Sequence, residues 1–213
     1  MNITILYDNT SWEKDCISDW GFSCLVASEH FSSILFDTGA DGRILLANME
    51  HLGVDPAQIS TVFISHNHFD HIGGLSAFLQ VNPDVAIFAP YTCGRIPGAD
   101  RVTLVKESME LGEGIFSTGV LSGIEQSLLV PSGPGSVLIV GCAHPGMSSI
   151  LDAARSHGHV HALVGGLHGF SDFELLSGVD RICPTHCTQY QDEIAKTYPE
   201  RFVSGGVGRT ISL

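Results

Sequence analysis

The chain lacks any run of about 18 apolar residues, the length a helix needs to cross a bilayer, and this excludes a helical membrane span. It is also short of positive charge. Ten Lys and Arg stand against 23 Asp and Glu, a formal charge of −13, and no Lys/Arg cluster could track a phosphate backbone. Nucleic acid and anionic membranes are therefore not expected as partners, whereas a small-molecule substrate is. The opening residues Asn2-Ile3-Thr4-Ile5-Leu6-Tyr7-Asp8 lack the basic region and long apolar core of a secretory signal. They read as a first strand, and a cytoplasmic location is expected. In that compartment Cys16, Cys24, Cys93, Cys142, Cys183 and Cys187 are expected as reduced thiols. Cys183 and Cys187 bracket His186, but no second close pair completes a cysteine-rich zinc site, so buried thiols are the expectation. Nothing in the sequence bears on oligomeric state.

What is present is enough apolar material, 44% of 213 residues, to build a substantial core. No Pro/Ser-rich tract or charge run marks a linker, so residues 1–213 are expected to form one domain. Short runs of Val, Ile, Leu and Phe at 21–27, 31–36, 61–65, 85–89, 127–131, 135–140 and 160–164, bounded by Gly, Pro, Asp or Asn, predict strands. Helical patterns at 41–52, 72–80, 146–157 and 188–197 alternate with them, and a closing strand pair is predicted near 201–204 and 207–212. The order is that of an α/β fold with extra antiparallel strands. Residues 130–135 read as a hairpin turn, and 8–20 and 90–115 as the loops that set specificity. A weak repetition is visible: SSILFDTG (32–39) and TVFISHNHFDHIGG (61–74) are echoed by GSVLIVGCAHPG (135–146) and HVHALVGGLHG (159–169). Two similar halves packed sheet to sheet would bring their polar loops to one edge, at the carboxyl ends of the strands.

The chemistry concentrates in Ser65-His66-Asn67-His68-Phe69-Asp70-His71-Ile72-Gly73-Gly74. Three imidazoles and a carboxylate directly after a buried strand would be costly to bury without partners, and a divalent metal is the simplest common partner. In an extended segment His66 and His68 point the same way and can share one ion, while Asp70 and His71 begin the following turn and can face another. Gly73-Gly74 permits a close backbone approach there. His30, His51, His157, His159 and His161 sit in polar or alternating contexts and are expected at the surface or at strand edges.

This H-x-H-x-D-H segment resembles the signature of the metallo-β-lactamase superfamily. Leu35-Phe36-Asp37-Thr38-Gly39, Gly141-Cys142-Ala143-His144 and Pro184-Thr185-His186-Cys187 are similar to further segments of that family. The resemblance implies an αββα four-layer sandwich and two divalent ions, zinc by preference, with iron or manganese compatible with the same ligands. It implies that His66, His68 and His144 hold one ion and Asp70, His71 and His186 the other. Asp37 is expected to accept a hydrogen bond from a ligand imidazole. The implied activity is hydrolysis of a small anionic ester or phosphoester by a metal-bridged hydroxide, with Asp70 also taking a proton. The family's usual bridging aspartate falls at His168 in this chain. A neutral imidazole has one lone pair and cannot bridge, so His168 is expected either to ligate the second ion terminally or to contact a substrate oxygen. GCAHPG, GGLH and PTHCT resemble the dihydropterin ribofuranosyl-aminobenzene phosphate synthase-like branch, which makes a pterin-related reaction one alternative. A mononuclear-iron redox reaction of the persulfide dioxygenase type is another.

Overall fold

In β10 (Gly135–Val140) every residue from Val137 to Val140 is buried, because both faces of the strand are covered. Val137 and Ile139 pack in one hydrophobic cluster and Leu138 and Val140 in another. That alternation between two cores defines the architecture, seen in a computed structural model that describes residues 1–133 and 135–213. Pro134, within the predicted 130–135 turn, lies outside the described residues.

The first half holds β1 (Asn2–Tyr7), β2 (Ser23–Ala27), β3 (Ile34–Phe36), α1 (Gly42–His51), β4 (Thr61–Phe63), α2 (Phe69–Ile72), α3 (Leu75–Val81), β5 (Ala86–Pro90) and β6 (Val102–Val105). The second holds β7 (Met109–Gly112), β8 (Ile115–Ser117), β9 (Leu128–Ser132), β10, α4 (Met147–Arg155), β11 (Val160–Gly166), β12 (Arg181–Thr185) and α5 (Gln191–Thr197). The final strand, β13 (Thr210–Ser212), returns to the first sheet. One sheet runs β13-β1-β2-β3-β4-β5-β6 and the other β12-β11-β10-β9-β8-β7. Ile3, Ile5, Phe36 and Phe63 of the first sheet meet Leu128, Val137, Ile139 and Val164 of the second in a common core. Leu45, Met49 and Phe78 of α1 and α3 cover the outer face of the first sheet, and Met147, Ile150, Leu151 and Ile194 of α4 and α5 that of the second. The layers are therefore α, β, β, α, as the sequence led us to expect.

The internal repetition has a structural counterpart. β3–α1–β4 and β10–α4–β11 are both parallel strand–helix–strand units, and the polar loops sit at the carboxyl ends of their strands. Of six non-glycine residues with positive φ among the described residues, three fall in those loops, Asp37 (53°), Ala143 (59°) and His168 (48°), and a fourth, His186 (49°), follows β12 in the same way. Left-handed backbone is unfavourable for such residues and gathers where a functional geometry is held by its surroundings.

The predicted closing pair does not form. β13 pairs antiparallel with β1 on the first sheet, while Phe202 makes an isolated bridge to Ile182 on the second. The carboxyl-terminal segment thus spans both sheets, each offering it an edge with open hydrogen-bonding groups. Segment 90–115, expected as a loop, contains β6 and β7, whose partial exposure hides them from a search for apolar runs. His161, expected at the surface or at a strand edge, is buried because β11 lies between β10 and β12. No helix among the described residues is long and apolar enough to cross a membrane.

Candidate metal centre

The site grows from the carboxyl ends of β3, β4, β10 and β12. After β4 the chain places His66 inside and turns through His68, the residue preceding α2, so Asp70 and His71 sit buried on the helix's first turn. Tight packing needs Gly73 and Gly74. A Cβ on Gly73 would stand 2.3 Å from the Ala40 carbonyl oxygen, and one on Gly74 2.2 Å from that of Thr38. The Thr38 N–H and hydroxyl both donate to the His71 carbonyl, locking the 37–39 loop onto α2.

Asp37, wholly buried, orders the imidazoles. Its Oδ1 accepts from the Ser65 backbone N–H at 2.7 Å, and its Oδ2 accepts from the Ser65 hydroxyl at 2.6 Å and from His71 Nδ1 at 2.7 Å. The single Ser65 hydroxyl proton is thereby used, so His66 Nδ1, 2.9 Å from Ser65 Oγ, must be the donor in that contact. One carboxylate thus fixes both tautomers and leaves the Nε2 lone pairs of His66 and His71 facing inward. Burial pushes the Asp37 carboxyl up, and the two bonds from Ser65 oppose it. Burial drives both His66 and His71 well below the usual imidazole range, helped for His66 by His71 and for His71 by His186, so both are neutral and ligand-competent.

His186 is held from the other end of the chain. Asn9 Oδ1 accepts from His186 Nδ1 at 3.0 Å, Asn9 Nδ2 donates to the His186 carbonyl at 3.0 Å, and Asp8 Oδ1 accepts from the His186 backbone N–H at 2.8 Å. Its Nε2 then lies 3.3 Å from Asp70 Oδ2, which also accepts the Trp20 indole N–H at 2.8 Å. Burial works against the Asp70 carboxylate, but the neighbouring His186 and His71 imidazoles outweigh it and hold the group below its ordinary range. His144 is placed by Glu125, a buried residue just before β9. Glu125 Oε1 accepts from the backbone N–H groups of Gly141, Cys142 and Ala143, and Oε2 from that of His144. Burial pushes Glu125 up to about 7 against the pull of the Cys142, His144 and Ala143 donors.

Among the described residues four groups of potential ligand atoms lie within 4.8 Å of one another, and two of them are the expected sets, His66/His68/His144 and Asp70/His71/His186. His66 Nε2 and His68 Nδ1 are 3.0 Å apart, and the rings of His66 and His71 join the sets with centroids 4.2 Å apart. Nε2 of His144 and of His186 are buried with no hydrogen-bond partner, a costly arrangement that a cation relieves. Donor set and orphaned nitrogens both fit divalent ions with nitrogen and oxygen ligands.

Six of the seven candidate ligands read from the sequence are thus brought together. His168 is not: it is exposed, belongs to neither set, and its ring centroid is 5.5 Å from that of His144. It lines, with His144, Met147 and Phe170, a cavity of about 350 Å³ beside the centre. A larger cavity of about 590 Å³ lies at the opposite ends of the strands, near Ile34, Thr61 and Phe88, away from every set of metal-ligating groups found among the described residues. Sequence reasoning missed Asp8, Asn9, Trp20 and Glu125 because each acts across a long sequence separation. It also missed Cys142, whose Sγ is 3.1 Å from His71 Nε2, and whose thiol is pushed up by the adjoining Cys187 thiol and by burial.

The model of the Metallo-beta-lactamase superfamily matches residues 23–186. The 7,8-dihydropterin-6-methyl-4-(beta-D-ribofuranosyl)-aminobenzene-5'-phosphate synthase of Methanocaldococcus jannaschii is 26% identical, covering 89% of this chain and 88% of that protein. Among solved structures, Tm1679, a metal-dependent hydrolase of the beta-lactamase superfamily, superposes with a TM-score of 0.79 at 27% identity, covering 100% of this chain and 99% of that one. Zinc-bound PqqB from Methylobacterium extorquens shares the fold, with a TM-score of 0.65 at 14% identity and full coverage of both chains. With the matched segment running from β2 to His186 and enclosing both ligand sets, the chain belongs to the metallo-beta-lactamase superfamily.

Proposed function

We propose that the chain is a metal-dependent hydrolase that holds two divalent ions and cleaves a small anionic ester or phosphoester. One observation carries the reading: two three-residue ligand sets stand side by side, with imidazole tautomers already fixed by Asp37 and Asn9. Two ions bound there would acidify water and neutralise charge developing on a leaving oxygen. His66, His68 and His144 would hold one ion, and Asp70, His71 and His186 the other; zinc suits this set best, and iron or manganese is compatible with it. In this reading Asp70 also takes a proton from the attacking water. In this reading His168 contacts a substrate oxygen in preference to ligation, which its exposure on the wall of the cavity beside His144 supports. The positive centre draws an anion despite an acidic surface.

Protein purified without chelators should carry close to two transition-metal ions per chain. It should also hydrolyse at least one member of a panel of chromogenic phosphate, phosphodiester, thioester and lactam substrates. One iron and no other metal would replace this reading with mononuclear-iron redox chemistry. Two ions with no hydrolysis of any panel member would favour a pterin-related synthase-type reaction, the activity named for the 26% identical relative.

A further inference from the structure

Cys142 and Cys187 lie inside the centre, and the ligand assignment above uses neither. Cys142 Sγ stands 3.1 Å from His71 Nε2 and 3.3 Å from Cys187 Sγ. Since His71 Nδ1 is committed to Asp37, the sulfur faces the nitrogen that carries the lone pair. With metal–nitrogen near 2.0–2.1 Å and metal–sulfur near 2.3 Å, two ligands of one tetrahedral ion stand about 3.5 Å apart, within a few tenths of this contact. Cys142 Sγ also lies within 4.8 Å of the ligand atoms of His66 and His71 in one set, and of His186 and Cys187 in another. In that second set His186, only 5% exposed, has an Nε2 with no hydrogen-bond partner.

The surrounding backbone is built to hold the sulfurs. The Cys142 N–H donates to Glu125 Oε1 at 2.9 Å. A Cβ on Gly166 would come within 2.8 Å of Cys187 Sγ and 2.3 Å of the Gly141 carbonyl oxygen, so only glycine leaves the sulfur its place. Charge points the same way. The six ligand residues bring one negative charge to two divalent ions, which leaves three positive charges unmatched among the ligands themselves in a largely buried site, and a thiolate removes one of them.

We propose that Cys142 is a ligand of the metal pair through its thiolate sulfur, held in place by an S–H···S hydrogen bond from Cys187; this rests on the dinuclear reading above. Coordination deprotonates the thiol outright, and the proton leaves to solvent. A sulfur ligand tilts the centre toward zinc, iron or cobalt and away from manganese and magnesium.

Metal-free wild type, Cys142→Ser and Cys187→Ser, kept reduced and checked for folding by circular dichroism, would be titrated with cobalt(II) alone. The readings are cobalt per chain and the near-ultraviolet sulfur-to-cobalt charge-transfer band. The expected result is a band in wild type and in Cys187→Ser, and its loss in Cys142→Ser. Two cobalt ions in wild type with no band, or a band that survives in Cys142→Ser, overturns the sulfur ligand and leaves the dinuclear reading standing. Failure of wild type to bind cobalt overturns the dinuclear reading itself. Should Cys142→Ser not fold, zinc-edge X-ray absorption on the wild type decides: a sulfur at about 2.3 Å supports the ligand, and a shell of nitrogen and oxygen alone removes it.

Discussion

Asp37 accepts three hydrogen bonds and through them sets His66 and His71, one ligand from each set. Replacing it with Asn substitutes an N–H face for one carboxylate oxygen, so one donor must be lost. We expect Asp37→Asn to weaken metal binding by roughly 10–100-fold, the usual effect of removing a partner that orients ligands. A competitive chelator titration measures it, and unchanged affinity would mean that Asp37 only holds the turn. His66→Ala removes a ligand outright. With metal at about 100 times its dissociation constant, losing one ion removes about 2.7 kcal/mol of stabilisation. In a chain of this size that is roughly 5–10 °C of melting temperature. Unchanged metal content and melting temperature would remove His66 from the ligand set. Glu125→Gln keeps the shape of the buried side chain but presents an amide N–H to backbone donors. It should cost about 1–3 kcal/mol, read by chemical denaturation. His168→Ala tests the substrate-contact role, since retained metals with a large fall in rate are expected, and loss of an ion would make the residue a ligand.

At the scale of elements, every candidate ligand but His68 and His144 is mostly buried, and each sits in the loop, or on the first turn of the helix, that follows the carboxyl end of a strand. The strands were legible where both faces are covered, because β10, β11 and β4 then read as continuous apolar runs. The edge strands β6 and β7, and β8 beside β7, were not, since they are short and partly exposed and offer no long apolar stretch. The ligand loop after β4 was legible for another reason: four metal-capable residues fall within six positions. Its supports were not, because a single Glu before β9 or an Asn after β1 carries no local signal. The segment 8–22 brings Asn9 and Trp20 to the second ligand set. Asn9→Ala frees His186 Nδ1 and its carbonyl together, so we expect selective loss of the second ion, with stoichiometry falling from two toward one. A variant that keeps both ions at wild-type affinity would show that Asp8 and packing alone hold His186.

For the molecule as a whole, the two sheets share one core while the ligand sets draw on both, with His66, His68, Asp70 and His71 from the first and His144 and His186 from the second. Bound ions would therefore tie the sheets together, and exhaustive chelation should lower the melting temperature by several degrees, with recovery on adding zinc. A melting curve insensitive to chelation would place the ions outside the folding equilibrium. Asn9 and His186, which grip each other, lie 177 positions apart. The ribosome releases the chain amino end first, and the residues of the first set, with Asp37 and Glu125 behind them, are all translated before the strand that carries His186. Biosynthesis thus imposes an order on assembly: the pocket for one ion is written early, and the other cannot close until the last strands emerge and fold back onto the first.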